Sequence, residues 1–149
     1  MKNTLKVSKA IETLIQAGYS VSANKEQIKM PKDVAKFLAP YAHAQVEYFL
    51  VVTLDTKNKV IGCHEVYKGT LDQVNVHCRE VFKLAIQDSA ASIILGHNHP
   101  SGDLEPSDND LELTRKFIEA GKLLGINVHD HVIVGLNGFL SMREETYLW

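Results

Sequence analysis

Cysteine is scarce in this chain: Cys63 and Cys78 are the only two in 149 residues. Two thiols rule out a disulfide-stapled scaffold, and a chain this long can bury a core without staples. Both are expected to be free, semi-buried thiols in a reducing cytoplasm. Long apolar runs are missing too. None approaches the roughly 18 residues needed to span a bilayer, and the first residues do not read as a signal peptide, so no membrane role is expected. Neither sign of charge dominates. Sixteen Lys and Arg against eighteen Asp and Glu give a formal net charge of −2, which lacks the basic footprint of a nucleic-acid binder. There is no repeat, linker or low-complexity tract, and an apolar share of 45% with 23% charged residues is ordinary for a globular protein.

What is present is a succession of short periodic segments. Helical spacing predicts an amphipathic helix over residues 7–17, stopped at Gly18. Pro31 suits the first turn of a second helix through Val34, Ala35, Phe37 and Leu38, which Pro40 disturbs. Residues 48–54 are β-branched and aromatic and read as a central strand. Residues 55–59 supply turn chemistry, and residues 60–67 return as the second strand of a hairpin, ended by Gly69. A turn at Lys57-Asn58 would set Glu47 opposite Lys68 and Glu65 opposite Leu50. Helical spacing resumes over residues 77–90, and residues 92–95 form a short buried strand. A helix over 107–124, a strand over 128–134, a turn at Asn137-Gly138 and a last strand over 139–141 follow. Helices and strands alternating around one sheet make the class α/β or α+β, and element order leaves strand direction open.

Chemistry concentrates in residues 94–110, I-L-G-H-N-H-P-S-G-D-L-E-P-S-D-N-D. His97 and His99, two apart on an extended backbone, send both rings to one face. Pro100, Ser101 and Gly102 turn the chain, and Ser107 with Asp110 opens a helix that brings a carboxylate back toward the imidazoles. Each piece alone has a plainer reading. A lone His-x-His is usually incidental, Ser107-x-x-Asp110 is a capping box, and Pro-Ser-Gly is a turn. In conjunction they supply two nitrogens and one oxygen, the ligand set of a catalytic zinc that leaves its fourth position to water. The pKa of such a water falls to about 7, and hydrolysis then needs a further carboxylate to move its proton. Capping and ligation are compatible, since Ser107 can cap the helix while Asp110 faces inward.

Other features read more plainly. His97-Asn98-His99 spells H-N-H, but the nuclease of that name spreads its residues over a ββα fold. A zinc deaminase would need H-x-E and P-C-x-x-C, and neither occurs. His129-Asp130-His131 begins a strand, with His129 and His131 on one face and Asp130 on the other, which argues against a second metal site. Arg79-Glu80, early in a helix, reads as an internal ion pair or cap contact.

The spacing His97-x-His99-Pro100, with seven residues between His99 and Ser107, then Ser107-x-x-Asp110 resembles the JAMM signature of the MPN-domain metalloproteases. With H-N-H-P-S-G-D-L-E-P-S and the flanking strings Y-K-G-T-L-D, R-E-V-F-K-L-A and D-H-V-I-V-G, the chain resembles the RadC family more narrowly, over about residues 31 to 145. The resemblance implies a JAMM, cytidine-deaminase-like α/β fold over residues 31–149, with a central mixed sheet flanked by helices, after a helical extension of residues 1–30. It also implies one zinc on His97, His99 and Asp110, a catalytic glutamate beside an early strand, and Ser107 helping to hold the tetrahedral intermediate. Asp130-His131 looks like a supporting pair near the site. Glu47, at the entry of the central strand, stands where the resemblance places the general base. Glu65 and Glu80 compete for that role, and a surface ion pair with Lys68 is the plain alternative for Glu47.

The function expected is a zinc-dependent peptidase or isopeptidase acting on a peptide or isopeptide substrate. The alternative is a non-catalytic or DNA-repair-associated accessory role. Many RadC proteins resemble helix-hairpin-helix DNA binders in a long N-terminal extension. Residues 1–30 show no G-x-G hairpin pattern, so no tight DNA binding is expected.

Overall fold

Alternation along one strand decides the architecture. In a computed structural model, which describes residues 26–69 and 76–149, β1 (Glu47–Leu54) sends Phe49 and Val51 into one apolar core and Leu50, Val52 and Leu54 into another. A strand buried on both faces belongs in the middle of a covered sheet. The remaining strands are β2 (Val60–Gly69), β3 (Ser92–Asn98), β4 (Asn127–Gly135) and β5 (Gly138–Ser141). Their order is β2-β1-β3-β4-β5. Only β3 and β4 run parallel, and the other neighbours are antiparallel, so the sheet is mixed. The predicted helix over residues 7–17 lies outside the described residues.

Helix α1 (Pro31–Leu38) packs Val34 and Leu38 on the face of Leu50, Val52, Ile94 and Val132, and a 3₁₀ turn (Ala39–Tyr41) follows it. Helices α2 (Cys78–Gln87) and α3 (Asp108–Leu124) cover the opposite face with Val81, Phe82, Ala85, Leu113 and Phe117. A parallel pair cannot be closed by a hairpin, and α3 is the crossover that joins β3 to β4. The αL conformation that ends α3 falls on Gly125 at φ 73°, where a side chain would be strained. Among the described residues no helix is long and apolar enough to cross a membrane.

Three irregularities interrupt the register of the sheet, two in the hairpin and one in β4. Glu65 does pair with Leu50, but Glu47 pairs with Gly69 rather than Lys68, because Val66 is an extra residue between the Phe49–Tyr67 and Leu50–Glu65 pairs. Lys68 lies opposite Tyr48 instead, its ammonium 5.4 Å from that ring. The second leaves Ile61 extra between the Thr53–Gly62 and Leu54–Val60 pairs, and the third lies in β4, where Ile93 pairs with Val128 but Ile94 pairs with Asp130. The extra residue is His129. It resets the alternation, so that Val128 and His131 both face α3 while His129 lines the same cavity as Asp130. The expectation that His129 and His131 share a face is therefore corrected. A short helix α4 (Met142–Glu145), not predicted, follows β5, with Ser141 Oγ accepting the Glu144 N–H. Ser141-x-x-Glu144 carried a capping-box signal for it.

Candidate metal centre

Strand β3 runs three residues further than its apolar pattern implied, to Asn98, with His97 fully buried in the sheet opposite Phe49 of β1. The chain then leaves β3. His99 N–H donates to the Val134 carbonyl of β4, and Gly102 N–H donates back to the His99 carbonyl, closing a turn in which Gly102 has φ +82°. Only glycine adopts that conformation without strain. Helix α3 begins with the predicted capping box: Ser107 Oγ accepts the Asp110 N–H at 3.1 Å, and Asp110 Oδ2 accepts the Ser107 N–H at 2.9 Å. The same carboxylate faces the histidines. Capping and convergence thus occur together.

His97 Nε2 and His99 Nε2 are 2.9 Å apart, Asp110 Oδ2 is 3.2 Å from His99 Nε2, and Asp110 Oδ1 is 3.4 Å from His97 Nε2. An ion held tetrahedrally at about 2.0–2.1 Å sets its donors about 3.3 Å apart. The separations match. The proton positions match as well. Thr114 Oγ1 gives its only proton to the Asp110 carbonyl at 2.6 Å, so it must accept from His131 Nδ1 at 2.6 Å. His131 Nε2 is then an acceptor, and His97 Nδ1–H donates to it at 2.7 Å. His97 Nε2 is left with a lone pair aimed at His99. His99 Nδ1–H donates to the Asp103 carbonyl at 2.6 Å, which leaves its Nε2 unprotonated too. Two lone pairs and a carboxylate aimed at one point suit a divalent cation, and these three residues are the group that could hold one among the described residues.

Without a metal, the carboxylate pulls the other way and favours a proton on the imidazole nitrogens that face it. Burial disfavours the Asp110 carboxylate, but hydrogen bonds from His97 and His99 overcome it and hold the carboxyl well below the usual range. Burial likewise opposes protonation of His99, yet the hydrogen bonds to Asp110 and Asp103 and the nearby charges of Asp110 and Glu47 raise its pKa. His131 is pushed well below the ordinary histidine value by complete burial and by His97, as the neutral link in the proton order requires.

Glu47 stands half-buried at the entry of β1, two residues before Phe49. It lies close enough to the histidines for its charge to act on His99. Glu65 is elsewhere, accepting the Tyr41 hydroxyl at 2.6 Å, and Glu80 sits on exposed α2 beside Arg79 at 3.5 Å, the plain ion pair expected. The supporting pair divides: His131 backs His97, whereas Asp130 faces away. Its oxygens accept from the backbone N–H of His131 and Arg143 and from Ser141 Oγ, tying β4 to α4. Burial raises the Asp130 pKa against those hydrogen bonds. Thr114 was missed, having no signal beyond lying four residues after Asp110, one helical turn. Cys63 and Cys78 form no disulfide and are half-buried, and burial pushes the Cys63 thiol up to about 11.

Comparisons with known proteins agree with the architecture. The family model described as a RadC-like JAB domain matches residues 28–147. A UPF0758 protein of Clostridium perfringens is 47% identical over 123 residues, covering 82% of this chain and 54% of that protein. One from Symbiobacterium thermophilum is 50% identical over 119 residues, covering 79% and 51%, and one from Alkaliphilus metalliredigens is 41% identical over 149 residues, covering 95% and 64%. The chain spans about half the length of the first two relatives. With the family model matched over nearly the whole described region, on a mixed sheet that presents the motif as the resemblance implied, the chain belongs to the RadC-like JAB domain family.

Proposed function

We propose that this chain is a zinc-dependent hydrolase of amide bonds, a peptidase or isopeptidase. The observation that carries the reading is Glu47 at the entry of β1, a carboxylate outside the His97, His99 and Asp110 group whose charge acts on His99. Family membership supports it, since JAB domains include metalloproteases. A zinc ion held by His97 Nε2, His99 Nε2 and Asp110 would supply Lewis acidity and bring the pKa of a water to about 7. Glu47 accepts a proton from the attacking water as its oxygen bonds to the carbonyl carbon, then delivers it to the amine nitrogen as the C–N bond breaks. Ser107 Oγ accepts the Asp110 N–H and keeps its own proton to donate. That proton is offered to the carbonyl oxygen as negative charge develops there. His131 holds His97 in the tautomer that leaves Nε2 unprotonated. Cys63 and Cys78 as thiols rather than a disulfide fit a cytoplasmic location.

The test is hydrolysis of internally quenched peptide and isopeptide libraries by zinc-loaded protein. Cleavage should stop on chelation and return with zinc. Glu47→Gln should keep its zinc and fold yet lose roughly 100- to 10,000-fold in rate, the usual contribution of a positioned acid/base. Cleavage that ignores chelation, or a fully active Glu47→Gln, would contradict the reading.

A further inference from the structure

Backbone pairing between β1 and β3 ends at Phe49 and His97. It stops short of Glu47 because the chain turns away after Asn98 and gives its next amide, His99 N–H, to Val134 of β4. The side chain of Asn98 takes up the pairing from there. Its Oδ1 accepts the Tyr48 N–H at 2.7 Å, and its Nδ2 donates to the Val46 carbonyl at 3.0 Å. One primary amide, with a single acceptor and a donor, thus stands in for the peptide group that a longer β3 would present. The two residues it grips flank Glu47. Asn98 is itself fully buried, so water does not compete for either hydrogen bond. Neither contact holds the histidine rings, which are oriented by His131 and Asp103.

We propose that Asn98 is a positioning residue that fixes Glu47 at the metal centre, an inference resting on the reading of Glu47 as the proton carrier. The strand that carries His97 thereby also sets the place of the base, so ligands and base cannot drift apart. Ala or Ser at position 98 cannot span both backbone groups. Asp would still accept from Tyr48 but would set a carboxylate against the Val46 carbonyl, keeping half the clamp. Misplacement by about 1 Å is enough to cost roughly 100-fold in rate, so loss of the clamp acts on turnover before it acts on metal binding.

The experiment compares zinc-loaded wild type, Asn98→Ala, Asn98→Asp, Glu47→Gln and the double variant Asn98→Ala/Glu47→Gln. Zinc content should stay at that of wild type in both Asn98 variants. Tyr48 amide exchange should be at least about 10-fold faster in Asn98→Ala and intermediate in Asn98→Asp, and crystal structures should show the Glu47 carboxylate beside His99 only in wild type. On one quenched peptide that wild type cleaves, kcat should fall about 10- to 100-fold in Asn98→Ala with KM unchanged. Adding Asn98→Ala to Glu47→Gln should then cost nothing further, because the two act through one group. An unchanged Tyr48 exchange rate with Glu47 in place, an additional loss in the double variant, or loss of zinc from the Asn98 variants would overturn the proposal. Should Asn98→Ala not fold, Asn98→Asp decides by the same criteria. A wild type without chelator-sensitive cleavage would refute the hydrolase reading alone, and amide exchange with the Glu47 position would still decide the role of Asn98.

Discussion

Ser107 holds two assignments on one hydroxyl, and a single substitution separates them. As the N-cap of α3 it accepts the Asp110 N–H, and losing a cap costs about 1 kcal/mol of stability. As a donor to the carbonyl oxygen in the proposed reaction, it would contribute about 100- to 1000-fold in rate. Ser107→Ala should therefore lower turnover of a quenched peptide by about that factor while zinc content is retained. A drop in melting temperature with full turnover would leave it a cap alone. His99 sets the pH behaviour. Its pKa in the metal-free protein is raised, burial notwithstanding, by Asp110, Asp103 and Glu47. Zinc needs the unprotonated Nε2, so affinity should fall with falling pH beginning above about 6.5, the ordinary histidine value. Without metal the sign reverses. A raised folded-state pKa contributes stability that is fully present below the unfolded value and is lost as pH rises through the folded one. The gap in melting temperature between zinc-loaded and metal-free protein should consequently widen from pH 6 to pH 8, and a constant gap would contradict this account of His99.

Elements were legible where their signal was local. The Pro31 helix, the central strand, the hairpin and the long helix after Ser107 were each read to within a few residues, because side-chain periodicity and turn residues lie within the element itself. The bulges at Val66 and His129 left no such mark, and each shifted a register by one residue. Thr114 and the reach of Asn98 were hidden for a similar reason, whereas His131 was read as a supporting residue from the resemblance alone. Thr114 and His131 are 17 residues apart, and Asn98 reaches Tyr48 across 50, so only the folded sheet brings them together. One glycine shows how tightly the elements supporting the centre are packed. A Cβ on Gly96, next to His97, would lie 2.6 Å from Cδ1 of fully buried Leu38 on α1. Gly96→Ala should destabilise the protein by about 1–3 kcal/mol, the usual cost of overpacking. Chemical denaturation should show the lowered midpoint, and an unchanged midpoint would mean that α1 shifts at no cost.

At the scale of the whole molecule, the sheet brings four sequence-distant stretches to one place. Strand β3 delivers His97 and, just past its end, His99; α3 returns Asp110; β4 backs His97 with His131; and β1, antiparallel to β3, brings Glu47 close enough for its charge to act on His99. The motif marked out in the sequence the three residues that converge as a candidate metal group, whereas strand direction, which decides whether Glu47 comes near it, had to come from the fold. The most direct test of this account is the zinc content, by elemental analysis, of purified wild type and of the His97→Ala/His99→Ala double variant after identical loading and desalting. The three-donor set predicts about one zinc per chain in wild type and none in the double variant. Stoichiometric zinc retained by the double variant would place the metal elsewhere and contradict the assignment.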